Sequence, residues 1–225
     1  MKQYELVVFD WDGTVMNSTG AIVEAIQKAC ADLDLAVPPP QTASWVIGLS
    51  LSSAMYRVVP DLQEEQLPLF IERYRHHFFQ VDKQIALFDH ARELLTELKE
   101  NNVLIGVATG KSRDGLERML AAQELEGFFD VTRCADEAFS KPHPAMLHQV
   151  MDVMGMQPEQ MLMVGDTTHD IQMAHNAQVD GLGVSYGAHD RETLKESQPL
   201  AIVDTVPQLH DWLRQRVISQ TSVQE

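Results

Sequence analysis

Residues 5–9, Glu-Leu-Val-Val-Phe, form a short apolar run a few residues from the start of the chain. Such a run predicts a short strand buried on both faces. After it the period changes. From about Ser18 to Leu35, the residues Ile22, Ala25, Ile26, Ala29, Cys30 and Leu33 recur at helical spacing. The run Pro38-Pro39-Pro40 predicts the end of that helix. Gly48 and the serines Ser50, Ser52 and Ser53 flank a shorter helical stretch that reaches Val59, and Pro60 stops it. A third helix is predicted from about Glu64 to Gln80, with Pro68 tolerated in its first turn. Residues 15–84 thus read as wholly helical.

Beyond them helix and strand alternate. Ala91 to Asn101 is amphipathic through Leu94, Leu95 and Leu98, and Val103–Ala108 reads as a buried strand. Helices are predicted over 113–125, 143–154, 170–177 and 206–218. Strands or extended segments are predicted over 128–132, 161–164, 182–185 and 201–203. This alternation predicts an α/β fold: a Rossmann-like parallel-sheet core with helices on both faces, and a helical cap inserted after the first strand. The domain reading is 1–14 and 85–225 for the core and 15–84 for the cap. An insert at that point sits above the C-terminal edge of the sheet, where it could close as a lid. The tail after Ile218 is polar and is predicted to fray.

Composition narrows the function classes. Among 225 residues, 44% are apolar and 22% charged, the balance of a globular protein. Lys and Arg total 17 against 33 Asp and Glu, a formal net charge of -16. That field argues against nucleic acid or an anionic membrane as the main partner. It also repels phosphate, so an anionic substrate would need a divalent cation and a few well-placed basic groups. The two cysteines, Cys30 and Cys134, show no metal or disulfide spacing. With no leader apparent before the first strand and no apolar run of transmembrane length, the expected compartment is the cytoplasm. No pattern in the chain specifies an oligomeric state.

Candidate chemistry concentrates at strand ends. The first strand runs into Asp10-Trp11-Asp12-Gly13-Thr14. A carboxylate at the C-terminal tip of a parallel strand stands where ligands bind, and it can act as a covalent nucleophile. A second carboxylate beside it can serve as general acid and then general base. Three further polar groups follow: Thr109-Gly110-Lys111-Ser112, Ser140-Lys141-Pro142-His143, and Gly165-Asp166-Thr167-Thr168-His169-Asp170. In a parallel sheet they converge with Asp10 and Asp12 on one edge. Asp10, Asp166 and Asp170 supply hard oxygen ligands suited to Mg²⁺. Thr109 offers a hydroxyl and Lys141 a cation for phosphoryl oxygens, and Gly110 lets backbone amides approach an anion. Plainer roles are an Asp-Gly turn for Asp10–Gly13, a helix N-cap for Thr109, and dipole complementation for Asp166 and Asp170.

In this order, and with a helical insert after the first, the four motifs resemble the haloacid dehalogenase superfamily, in its phosphoglycolate phosphatase-like branch. The resemblance spans essentially the whole chain. It implies that Asp10 attacks phosphorus to form an aspartyl-phosphate, and that Asp12 protonates the leaving oxygen and then activates water. It further implies that Asp166 and the Asp12 carbonyl hold Mg²⁺, that Asp170 supports the metal directly or through water, and that Thr109 and Lys141 hold the phosphoryl group. Two departures stand out. Leu87-Phe88-Asp89-His90 replaces a Pro-Gly that many relatives carry after the cap, which bears on the second hinge. Gly110-Lys111 follows Thr109 where relatives often have Asn-Lys, so Lys111 adds positive charge.

The expected function is a Mg²⁺-dependent phosphatase for small phosphomonoesters. Phosphoglycolate leads as substrate, with sugar phosphates, nucleoside monophosphates and pyrophosphate open. A phosphomutase acting on sugar phosphates and a non-catalytic binding protein of the same fold are the alternatives. Gly48–Ser50 would either face substrate or form a plain inter-helix turn. His76 and His77 are expected on a solvated helix face, and His143 and His169 are expected to flank the chemistry rather than react.

Overall fold

The computed structural model describes residues 2–217. The predicted tail after Ile218, and the last residue of the predicted final helix, lie outside the described residues.

Six strands form one wholly parallel sheet in the order β3-β2-β1-β4-β5-β6. They are β1 (Leu6–Phe9), β2 (Leu104–Thr109), β3 (Val131–Cys134), β4 (Met161–Gly165), β5 (Asp180–Val184) and β6 (Ala201–Val203). β1 lies at the centre between β2 and β4, and all four of its residues are buried. Its side chains alternate: Leu6 and Val8 join one core with Met161, Met163 and Met173, while Val7 and Phe9 join the other with Ile105, Val107 and Leu162. Each face is therefore covered, which is why the strand reads as a continuous apolar run rather than as alternation.

Between β1 and β2 lie α1 (Thr19–Asp32), α2 (Pro40–Trp45), α3 (Leu51–Val58), α4 (Leu67–Val81) and α5 (Ala91–Glu100). The remaining helices are α6 (Arg113–Ala122), α7 (Ala145–Met154), α8 (Thr168–Asn176), α9 (Arg191–Glu196) and α10 (Val206–Arg214). α1 packs against α4 and α2, and buries Ile22, Ala25, Ile26, Ala29 and Cys30. The face predicted from spacing is thus the buried face.

Some boundaries differ for local reasons. α1 ends at Asp32, with Leu33 as its C-cap and Asp34 at a left-handed φ of 52°, so the proline run does not end it; Pro40 instead opens α2, because a proline at the first helical position needs no N–H donor there. A 3-10 turn at Glu64–Gln66 runs straight into α4, with Gln66 as its N-cap, so the predicted single helix begins in two steps. β3 starts at Val131 rather than Phe128, since Phe128 and Phe129 pack onto the core ahead of the strand, outside its ladder. α9 was absent from the predicted elements; it is six residues long and capped by Asp190, whose side chain accepts from Thr193 N. At the second passage between insert and sheet, where the Pro-Gly departure bears, His90 adopts a left-handed φ of 66° as N-cap of α5.

Among the described residues no helix is long and apolar enough to cross a membrane.

Candidate active site

The C-terminal ends of β1, β2 and β4 lie side by side, because these neighbours run parallel and in register through Phe9, Val107 and Val164. Asp10 follows β1, Thr109 ends β2, and Asp166 follows β4. Lys141 reaches the same point from the loop between β3 and α7. All of the predicted residues with side-chain roles, Asp10, Asp12, Thr109, Lys141, Asp166 and Asp170, are buried.

Lys141 is the hub. Its Nζ donates to Asp10 Oδ1 at 2.7 Å and to Asp170 Oδ1 at 2.7 Å. Oxygens of Asp10, Asp166 and Asp170 all lie within 4.8 Å of one another. Asp166 is held by Thr14 Oγ1, at 2.9 Å from its Oδ1, and by the Ala188 amide, at 2.7 Å from its Oδ2. Asp170 Oδ2 accepts from the Thr167 amide and hydroxyl, closing a capping box at the start of α8. The plainer capping role therefore coexists with a place in the cluster. For Thr109 it does not: the N-cap of α6 is Ser112, and Thr109 Oγ1 instead accepts from Lys111 N at 3.2 Å.

Burial pushes the Asp10 carboxyl up to about 7, against the pull of Lys141, and drives Asp166 well above the usual carboxylate range. Burial pulls Lys141 the other way, but Asp10 and Asp170 outweigh it and keep the ammonium protonated. Two buried carboxylates thus share one buried ammonium, with a third, Asp166, beside them. Asp10 Oδ2 has no hydrogen-bond partner among the described residues. Oxygen donors, surplus negative charge and an orphaned buried oxygen fit a divalent cation.

Asp12 stands apart from this cluster. Ser18 Oγ donates to its Oδ1 at 2.6 Å, and Lys111 Nζ lies 3.0 Å from its Oδ2. Lys111, noted in the sequence only for its charge, is thereby tied to one carboxylate. Gly13 has a φ of +86°, and a Cβ there would overlap Asp166 Oδ2, so the Asp-Gly turn lets the loop close on the cluster.

The helical insert touches this edge directly. A Cβ built on Gly48 would lie 4.0 Å from Asp10 Oδ2 and 3.3 Å from Thr167 Oγ1. One on Gly110 would stand 2.6 Å from Gly48 O, so the close approach of these two backbones needs Gly110 bare. Ser50 N donates to Ser140 Oγ at 2.8 Å. The Trp45 carbonyl pairs with His169 Nε2 at 2.9 Å and His189 Nε2 at 3.1 Å. A carbonyl only accepts, so both Nε2 atoms carry hydrogen; burial, which lowers both imidazoles (His169 to about 4), keeps them neutral. Gly48–Ser50 is thus both an inter-helix turn and part of the site wall. His76, His77 and His143 stay outside: His77 pairs with Asp32, His76 with Gln80, and His143 Nδ1 accepts from Ala145 N.

Sequence reasoning assigned no role to Thr14, Ser18, Trp45, Ala188 or His189. Thr14 lies inside the first motif, which is a usable signal; the others reach the site only through tertiary contacts.

A haloacid dehalogenase-like hydrolase profile matches residues 7–184. The chain belongs to that family. It is 34% identical over 205 residues to a probable phosphatase, IndB, of Dickeya dadantii, covering 89% of each chain. It is 28% identical to a phosphoglycolate phosphatase of Mannheimia succiniciproducens, over 88% of this chain and 93% of that one. A solved structure described as a predicted phosphatase from Clostridium acetobutylicum superposes with a TM-score of 0.84 at 24% identity, over 95% of this chain and 100% of that one. The sheet and its flanking helices are those of the family fold.

Proposed function

We infer that this chain, a phosphatase of the haloacid dehalogenase type, hydrolyses small phosphomonoesters through an aspartyl-phosphate and requires Mg²⁺. One observation carries the reading: Asp10, with an orphaned oxygen, shares the ammonium of Lys141 with Asp170 beside a third buried carboxylate, Asp166. That concentration of buried carboxylates around an orphaned oxygen favours a metal-assisted enzyme over a non-catalytic binding protein of the same fold.

Asp10, Asp166, Asp170 and the Asp12 carbonyl would hold the cation, Asp170 directly or through water. When bound, the ion supplies neutralisation of the charge shared by nucleophile and phosphoryl oxygens. Lys141 favours the ionised form of Asp10 against burial and has a third N–H for a phosphoryl oxygen. Thr109, committed only as an acceptor, has its O–H to donate, and the Gly110 backbone completes the phosphate cradle. A carboxylate oxygen of Asp10 bonds to phosphorus as the ester oxygen leaves, and Asp12 gives that oxygen its proton. Asp12, now a carboxylate, takes a proton from water; the water oxygen bonds to phosphorus, phosphate departs, and Asp10 is restored. Residues 15–84 act as the cap over this chemistry, with Trp45 and Gly48–Ser50 as its points of rest on the core of 1–14 and 85–225. The two free, buried thiols suit the reducing cytoplasm.

The test is phosphate release from a panel of phosphomonoesters with Mg²⁺ and with chelator, for the wild type and Asp10→Asn. Release that needs the metal and falls by at least ~10³-fold in the variant is expected. Unchanged turnover in Asp10→Asn refutes the covalent route; exchange of phosphate between sugar positions without release identifies the mutase instead.

A further inference from the structure

A cavity of about 620 Å³ opens beside Asp12, Gly48 and Gly110 and runs up between the insert helices and α6. Its size is that of a pocket for a drug-sized ligand. A two-carbon hydroxy acid such as glycolate would leave most of it empty. Its insert wall is apolar: Ile22 and Ile26 from α1, Ile47 from the turn, Met55 from α3, and Phe78 and Phe79 from α4. Tyr74 stacks on Phe78 at 5.9 Å between ring centroids, extending an aromatic surface toward Asp12.

The charges around the cavity cancel. Carboxylates of Asp12, Asp114 and Asp136 line it together with the cations Lys111, Arg75 and Arg118. Two of those cations are already engaged on two sides. Lys111 pairs with Asp12 and lies 4.9 Å from the Phe78 ring centroid; Arg118 pairs with Asp82 and lies 3.6 Å from that of Phe79. An anionic leaving group would give up hydration against an apolar wall and meet three cations offset by three carboxylates, with only the exposed Arg75 in no ion pair among the described residues.

We propose that the leaving group of the physiological substrate is a bulky, uncharged and largely apolar alcohol, seated on the Ile22–Ile26–Met55–Phe78 wall, and that phosphoglycolate is a poor substrate. This rests on the phosphatase reading above. The phosphoryl end binds at Lys141 and Thr109, and the alcohol end confers selectivity through apolar contact.

The experiment is a homologous series of n-alkyl phosphates, from ethyl through butyl to hexyl, with phosphoglycolate alongside, using the Mg²⁺-loaded full chain. Leaving-group basicity barely changes along the series, so the slope reads contact alone. kcat/KM is expected to rise roughly three- to fourfold per methylene, mainly through KM, with phosphoglycolate well below hexyl phosphate. Ala54→Phe, which projects a ring into the same cavity, is expected to cut the hexyl-to-ethyl ratio by at least ~10-fold. Metal-dependent release with a flat series, or with phosphoglycolate the best substrate, overturns the proposal and leaves the phosphatase standing. No release from any ester removes both. A ratio unmoved in folded Ala54→Phe also counts against it; where that variant does not fold, the wild-type series decides alone.

Discussion

The ammonium of Lys111 stands 3.0 Å from Asp12 Oδ2, while Ser18 Oγ holds the other oxygen of the same carboxylate at 2.6 Å. The group assigned to proton transfer is therefore clamped from two elements, the loop after β2 and the residue that precedes α1. Removing one clamp leaves Asp12 to swing about the other. Lys111→Ala is expected to lower kcat by about 10- to 100-fold with a smaller change in KM. Steady-state kinetics on one ester checks this; a loss confined to KM would recast Lys111 as a substrate contact.

Gly187 has no room for a side chain. A Cβ there would overlap both Asp166 Oδ2 and Gly13 O, which are fixed by Thr14, Ala188 and the first-motif turn. Gly187→Ala is expected to cost about 1–3 kcal/mol of stability and to displace Asp166 from the cluster. Thermal melting and Mg²⁺ titration of activity read the two effects separately. A variant with wild-type melting temperature and metal requirement contradicts the packing argument.

Arg113 at the start of α6 grips Glu137 with two nitrogens, at 2.9 and 2.7 Å. That hydrogen-bonded pair, more than the opposing burial, holds the Glu137 carboxyl below its ordinary value of 4.5. A depressed carboxyl stabilises the fold above its unfolded pKa and loses that contribution as pH falls through the folded one. Glu137→Gln should therefore be less stable than wild type at pH 7, by about 0.5–1 kcal/mol for a partly exposed pair. The gap should close below pH ~4.5. Chemical denaturation at both pH values checks the sign, and a gap that widens in acid would be fatal to it.

Cys30 and Cys134 are both buried, and burial raises their thiols to about 11 and about 12. Since the thiolate is the reactive form, neither should be alkylated by iodoacetamide at pH 8 while the protein is folded, and both should react in denaturant. Mass spectrometry before and after unfolding decides; rapid native labelling of either would show that it is accessible.

Legibility in the sequence followed locality. Asp10 and Asp12 could be read because strand and motif are contiguous, and Asp166 and Asp170 because four residues on one helix start define their relation. Lys141 needed only the parallel sheet to bring it in. What escaped was set by partners far away in the chain. Nothing near Trp45 shows that His169 and His189 meet at its carbonyl, 124 and 144 residues on. α2 was hidden because a proline run looks the same whether it ends one helix or opens the next. α9 was hidden because six residues carry too little periodicity to register.

The insert leaves and rejoins the core through one narrow ribbon. Met16 bridges Leu87 antiparallel, Asn17 N donates to Ala86 O at 3.0 Å, and Phe88 N donates to Val15 O at 3.0 Å. Paired residues of that kind sit only about 5 Å apart. The chain is in effect spliced at that spot. Seventy residues, 17–86, lie between those two anchor points, and their apolar faces share one core with β1 and β2. The same footing would accept a different insert. On the proposed reading, in which the insert confers selectivity, exchanging the segment between Met16 and Leu87 is the natural way to give this catalytic edge a new clientele.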